Sequence, residues 1–329
     1  MSNEEYPNLI HTSEPAEKNH FPILLQLGIL SFILVGIFST LLFQNTKNPV
    51  TPELSPAPIQ PSTAANVLIP QKIAPLNLRA EAAYVWDVRA QRALYASNES
   101  TPLPLASITK LMTTLLSYEL IEQSEVAVIS RNAILQEGSS GFNIGEQLTV
   151  ENLTQMALIS SSNDAAYELA ASVGSSLGDR DSVSQFVTAM NIKAEELGLN
   201  SLKFKNMTGL DLSVTEPGSV GSAKDVSFLM EHIISTYPDI LIPTQQVTTR
   251  VYNASGDYHT TENTNDIVNQ IPNLIGSKTG YTDLAGGNLT IAFDLGLNRP
   301  IIVTVLGSTR DERFSDVLTL VNAVQQSIQ

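Results

Sequence analysis

Ser107-Ile108-Thr109-Lys110 puts a hydroxyl and a primary amine three residues apart, and residues three apart on a helix share a face. Such a pair can perform nucleophilic catalysis, provided that the amine is neutral when the serine proton leaves. That requires burial or a second cation to depress its pKa. Lys110 is the only lysine of the chain with a serine three positions earlier. Ser161-Ser162-Asn163 offers a second hydroxyl and an amide on one turn, able to relay a proton and to hold a backbone group of a substrate. Lys278-Thr279-Gly280 sets a cation and a hydroxyl beside a residue without a side chain, which suits docking of a carboxylate against a strand edge. Taken singly, each triplet reads as an ordinary helix start, turn or strand end. Together and in this order they describe a nucleophile, a relay and an anion clamp.

The elements that must position these groups are readable from periodicity. After Pro104, the spacing of Leu111, Met112, Leu115, Leu116 and Leu120 predicts a helix with Ser107 in its first turn. A helix from about Glu151, behind a Thr149 cap, ends at the Ser/Asn cluster of 160–163, and a third follows until Gly174. Val183, Phe186, Val187, Met190 and Leu197 mark another that stops at Gly198, and helical spacing returns at 223–236. Residues 83–86 and 93–95 read as a hairpin. Residues 274–279, 288–295 and 301–306 read as strands, before a terminal helix from about Asp311 to Ser327. Strands at both ends of a helical middle predict an α+β fold, one antiparallel sheet flanked by helices.

Ser-x-x-Lys, Ser-x-Asn and Lys-Thr-Gly in this order are the signature set of penicillin-binding proteins and serine β-lactamases, and the chain resembles that superfamily. From about Ala80 onward it is similar to the low-molecular-weight D-alanyl-D-alanine carboxypeptidases. The likeness rests on Pro104-Leu105-Ala106-Ser107-Ile108-Thr109-Lys110-Leu111-Met112-Thr113, on Ser161-Ser162-Asn163-Asp164-Ala165-Ala166, on Phe204-x-Asn206-x-x-Gly209-Leu210, and on Gly276-Ser277-Lys278-Thr279-Gly280-Tyr281-Thr282 with Ala285-Gly286. It implies a β-lactamase/transpeptidase-like fold with a helical subdomain, and a serine peptidase that cuts between two D-alanines of a peptidoglycan stem peptide. By this resemblance Ser107 is the nucleophile, Lys110 its base and Ser161 a relay to the leaving amine. Asn163, Lys278, Thr279, Gly280 and Tyr281 bind substrate. The N–H groups of Ser107 and Tyr281 form an oxyanion hole, worth about 3–4 kcal/mol per donor in other enzymes, and Lys278 helps keep Lys110 neutral.

The same resemblance implies β-lactam antibiotics as covalent inhibitors and no metal or cofactor. Arg313 falls where such enzymes place an arginine that assists carboxylate recognition; the other reading is an exposed helix residue. Two related activities share the motifs. One is a D-alanyl endopeptidase acting on cross-links. The other is a serine β-lactamase, for which Glu195 or Glu196 could activate the deacylating water, although both read here as a solvated helix end. A catalytically dead wall-binding module would be expected to lack Ser107 or Lys110.

Residues 21–43 form an uncharged run of 23 residues. As a helix it is about 34 Å long, enough for a bilayer core of about 30 Å. No Ala-x-Ala-like site follows Phe43, so a retained transmembrane signal anchor is expected rather than a cleaved signal peptide. Residues 1–20 are then a cytoplasmic tail, 44–75, with Pro49, Pro52, Pro56, Pro58, Pro61, Pro70 and Pro75, a Pro-rich linker, and 76–329 the catalytic domain. Lys18 before the span and Lys47 after it leave the orientation open. The resemblance decides it, since peptidoglycan lies outside the membrane: a single pass in the cytoplasmic membrane, with the domain extracellular or periplasmic. A formal net charge of −15 argues against a nucleic-acid partner, and the absence of cysteine excludes disulfides and thiol nucleophiles. His11, His20, His232 and His259 form no His-x-x-x-His pair and none lies in a Gly-x-Ser-x-Gly context, so neither a metal site nor a His-based triad is expected.

Overall fold

A computed structural model describes residues 69–138, 140–178 and 181–328. The expected tail, membrane anchor and most of the linker lie outside the described residues. Among the described residues no helix is long and apolar enough to cross a membrane.

The chain begins with strands β1 (Ala82–Asp87), β2 (Arg92–Ser97) and β3 (Leu103–Pro104), then a 3-10 turn, Ala106–Thr109, that runs into helix α1 (Lys110–Leu120). Short strands β4 (Val126–Val128) and β5 (Gln147–Thr149) precede helices α2 (Val150–Ile159), α3 (Asn163–Ser176) and α4 (Ser182–Glu196). Strands β6 (Lys203–Phe204) and β7 (Ser219–Gly221) lead to helix α5 (Ala223–Thr236), a 3-10 turn at Ile242–Gln245, and the hairpin of β8 (Thr248–Tyr252) and β9 (Tyr258–Glu262). Strands β10 (Leu274–Thr282), β11 (Gly286–Asp294) and β12 (Pro300–Ser308) and helix α6 (Glu312–Gln326) close the chain.

Five strands form one antiparallel sheet in the order β10-β11-β12-β1-β2, so the expected α+β architecture holds and β10, which carries Lys278, is an edge strand. Every residue of β1 is buried, because the strand is covered on both faces. The two-residue period of a strand sends Ala82, Tyr84 and Trp86 toward the helical layer and Ala83 and Val85 toward α6. On the first face Trp86 meets Phe228 of α5 edge-on at 5.1 Å. On the second, Val317, Leu320, Val321 and Val324 of α6 recur at helical spacing and pack on Leu289, Ile291, Val303 and Val305. Burial of each such side chain contributes roughly 1.5–3 kcal/mol.

The helical layer is built on caps. Thr149 accepts from the Asn152 N–H at 3.2 Å to start α2, and Ser162 accepts from the Ala165 N–H at 3.0 Å to start α3. Between these helices Ser161 takes a left-handed conformation with φ 60°. The middle residue of Ser161-Ser162-Asn163 is therefore spent on capping, and its neighbours are free for other work. Residues before Leu76 also join the domain: Gln71 N–H donates to Ser327 O at 2.9 Å and Ile73 N–H to Leu94 O at 2.8 Å.

Candidate active site

Ser107 lies on the 3-10 turn, half-buried, one residue after Ala106, which is held at φ 49°. A left-handed alanine costs of order 1 kcal/mol and persists only where its surroundings enforce it. Here they do. Gly209 stands at φ 81°, and any Cβ on it would fall 1.9 Å from Ala106 O, so the 206–209 loop presses directly on the turn. The Thr109 hydroxyl donates to Ala106 O at 2.7 Å and fixes it from the other side.

Lys110 is the first residue of α1, and its side chain is fully buried. Its Nζ lies 2.8 Å from Ser107 Oγ, 2.7 Å from Asn163 Oδ1 and 3.1 Å from Thr208 O. Burial pushes its pKa down from 10.5 to about 7. The three contacts then define a direction. A neutral amine has two N–H bonds and one lone pair, and two of the neighbours are carbonyl oxygens that can only accept. With the N–H bonds taken by Asn163 Oδ1 and Thr208 O, the lone pair faces the Ser107 hydroxyl, the one neighbour that can give up a proton.

The amide of Asn163 is oriented by its second bond, Nδ2 donating to Glu137 O at 2.7 Å. Two residues earlier, Ser161 Oγ accepts from Lys278 Nζ at 2.9 Å, and the same amine donates to Thr279 O at 3.0 Å. Lys278 is 1% exposed. Burial drives its pKa well below the usual lysine value, and the neighbouring Lys110 and Arg313 add repulsion. Burial lowers both amines, and repulsion between Lys278 and Lys110 adds to the depression.

Strand β10 passes so close to the nucleophile turn that a Cβ on Gly280 would lie 2.7 Å from Leu105 O and 3.2 Å from both Ser107 N and Ile108 N. That approach explains the glycine and sets the backbone of Tyr281 beside that of Ser107. Thr279 Oγ1 is 2.6 Å from Thr264 Oγ1. Arg313 of α6 reaches under the strand, 7% exposed, with Nη1 donating to Gly280 O at 2.8 Å, and burial lowers its pKa to about 10. A buried residue bonded to the strand replaces the exposed helix residue that was the other reading of this position. Glu195 and Glu196 are exposed at the end of α4, with Glu195 3.6 Å from Lys203, and neither contacts this cluster.

Residues 69–310 match the family of D-alanyl-D-alanine carboxypeptidases. The chain belongs to that family. It is 32% identical over 237 residues to the D-alanyl-D-alanine carboxypeptidase DacF of Bacillus subtilis, a match covering 70% of this chain and 58% of the relative. It is 28% identical over 253 residues to a D-alanyl-D-alanine endopeptidase of Pseudomonas aeruginosa, covering 74% of this chain and 76% of the relative. The fold is similar to that of penicillin-binding protein D2 of Listeria monocytogenes in its ampicillin-bound form, with 30% identity, a TM-score of 0.63 and coverage of 76% of this chain and 98% of the other.

All eight site residues expected for a D-alanyl-D-alanine carboxypeptidase thus lie together in this fold, on the 3-10 turn and α1, the α2–α3 corner and β10. Sequence reasoning did not find three of their supports. Asn206 Oδ1 accepts from the N–H groups of Thr208 (3.1 Å) and Gly209 (2.7 Å), holding Thr208 O against Lys110. Asn288 Nδ2 donates to Pro104 O at 2.9 Å, tying β11 to the nucleophile segment. Thr264 contributes the hydroxyl beside Thr279. Asn206-x-x-Gly209 was visible as a motif but carried no assigned task. The other two leave no local signal.

Proposed function

We propose that this protein is a serine-type D-alanyl-D-alanine carboxypeptidase, removing the terminal D-alanine of peptidoglycan stem pentapeptides through an acyl-enzyme. The observation that carries the reading is the contact set of Lys110: a fully buried amine, poised near pH 7, with two carbonyl acceptors and the Ser107 hydroxyl as its neighbours. Ser107 Oγ attacks the carbonyl between the D-alanines as its proton passes to Lys110 Nζ. The developing oxyanion is held by the N–H groups of Ser107 and Tyr281. Ser161, bonded to Lys278, returns a proton to the leaving amine. The terminal carboxylate docks on Lys278 and the Thr279 hydroxyl, with Arg313 behind the strand, and its negative charge restores the protonated form of Lys278. Water then releases the shortened peptide.

β-Lactams resemble the scissile amide and acylate Ser107 as covalent inhibitors; the ampicillin-bound form of the Listeria relative supports this. Among the described residues no carboxylate bonds to Ser107, Lys110 or Ser161, which disfavours rapid β-lactam turnover. The alternative reading is a D-alanyl endopeptidase acting on cross-links, since the chain is also similar to the endopeptidase of Pseudomonas aeruginosa. On the proposed function residues 21–43 anchor the chain in the cytoplasmic membrane with the catalytic domain outside; the uncharged run supports this.

The test is labelling by fluorescent penicillin, with Ser107→Ala beside the native protein, followed by D-alanine release from a pentapeptide and from a cross-linked dimer. Labelling lost in Ser107→Ala and release from the pentapeptide are expected. Labelling with cleavage of the cross-link alone would assign an endopeptidase, and unchanged labelling of Ser107→Ala would overturn the proposal.

A further inference from the structure

Apart from the catalytic cluster, α2 and the 3-10 turns Pro238–Ile240 and Ile242–Gln245 border a cavity of about 520 Å³. Helix α2 gives it Glu151, Thr154 and Gln155, which share a face at spacings of three and four, and the turns give Asp239, Ile240 and Ile242. The chemistry proposed for Ser107 uses none of these side chains.

Thr154 carries the sign of a missing partner. The residue is 5% exposed, and its Oγ1 is shielded from solvent with no hydrogen-bond partner. A hydroxyl inside a helix commonly bonds to the carbonyl four residues back. Thr114 and Ser160 do so here, donating to Lys110 O at 2.8 Å and Met156 O at 3.0 Å. Thr154 makes no such bond and stands in the cavity wall instead. A buried hydroxyl left in this way is costly until a ligand satisfies it. The rest of the lining selects the ligand. Glu151 and Asp239 bring a carboxylate from each of two elements, and neither lysine nor arginine lines the cavity. Ile240 and Ile242 add apolar surface suited to methylene groups. Two separated carboxylates with an apolar wall match ammonium groups joined by an aliphatic chain, and the formal net charge of −15 draws such a polycation in.

The walls of this cavity also support the catalytic groups. Ser161 lies two residues beyond the end of α2, and Ile159 O accepts from the N–H of Thr264, whose hydroxyl meets Thr279. From the second wall, Thr244 Oγ1 accepts from the Ser277 N–H at 3.0 Å and Gln245 Nε2 donates to Ile275 O at 2.8 Å. A ligand bridging α2 and the turns therefore acts on the supports of both Ser161 and Lys278.

We infer that this cavity is a regulatory site for an aliphatic polyamine, held by Glu151, Asp239 and the Thr154 hydroxyl, whose occupancy alters the setting of Ser161 against Lys278. Calorimetric titration of the full-length protein with spermidine tests it, beside 1,8-octanediol as an uncharged chain of similar length. Spermidine is expected to bind about 10-fold or more tightly than the diol, less so at high salt, and about 5- to 10-fold more weakly to Glu151→Gln/Asp239→Asn. The exposed pair Glu195→Gln/Glu196→Gln is expected to leave binding unchanged. Thr154→Val is expected to weaken binding about 3- to 10-fold without lowering the thermal midpoint of the unliganded protein, since its hydroxyl has no partner to lose. At saturating spermidine the rate of acylation by fluorescent penicillin is expected to change about 2-fold or more, with a higher concentration needed in Thr154→Val. Absence of spermidine binding, or an equal loss of it in the remote pair, overturns the site. A lowered midpoint in Thr154→Val assigns its hydroxyl to the fold and overturns it as well. Binding that leaves the acylation rate unchanged overturns the regulatory role.

Discussion

A lysine ammonium shut away from water is several kcal/mol less stable than one in solvent, and the simplest relief is loss of its proton. Lys110 takes that course, and the cost is retained because a neutral amine next to Ser107 is what acyl transfer needs. The linkage can be signed. The folded pKa is about 7 and the unfolded value 10.5, so between those limits the unfolded chain binds more protons and stability rises with pH. Lys110→Met removes this contribution at similar volume. The stability of the native protein relative to Lys110→Met should therefore increase from pH 7 to about pH 10, with a slope of up to about 1.4 kcal/mol per unit, as read by urea unfolding at each pH. A difference independent of pH would mean that the amine stays charged in the folded state. Acylation by penicillin should be lost in Lys110→Met at every pH.

At the scale of elements, the site depends on β10 touching the nucleophile turn. Gly280→Ala forces a methyl group to within 2.7 Å of Leu105 O, and the strand must withdraw by some tenths of an ångström. Misplacement on that scale should slow penicillin acylation about 10- to 100-fold while the thermal unfolding transition stays cooperative; an unchanged rate would refute the contact. The helices that carry the site were readable because their signals are local: the Thr149 cap, the Ser/Asn break after Ile159, the stop at Gly198. Ser107 was expected in the first turn of α1 and stands instead on a 3-10 turn, since left-handed Ala106 delays the helix until Lys110. The β8–β9 hairpin escaped notice because only Val251 and Thr261 are buried in it, leaving hardly any apolar alternation to read. The strand order was equally hidden. Pairing of Ala82 with Leu306, which sets β1 beside β12, is a contact between the ends of the domain with no local signature. Among the site groups, the serines, lysines and Asn163 declared themselves by type and order, whereas Thr208 acts through its backbone carbonyl, which any residue possesses.

For the whole molecule, the entry and exit of the domain are joined. Pro70 bridges Ile328, Ile73 packs beneath the sheet, and the Asp316 carboxylate of α6 accepts from the N–H groups of Arg79 and Ala80 at 2.9 Å each. A domain started at Leu76 loses the first two of these ties, and should be less stable than one started at Ile69 by about 1–2 kcal/mol, seen as a lower urea midpoint; equal midpoints would show that residues 69–75 add nothing. The neutrality of Lys110 is likewise a property of the whole, since α1, the α2–α3 corner and the 206–209 loop must all close on it. The most direct measurement is the rate at which benzylpenicillin acylates Ser107 as a function of pH. The rate should rise with pH along a single-proton curve with its midpoint near 7 and then level off. A rate flat from pH 5 to 9, or one climbing only toward the ordinary lysine value of 10.5, would contradict a neutral Lys110 as the base.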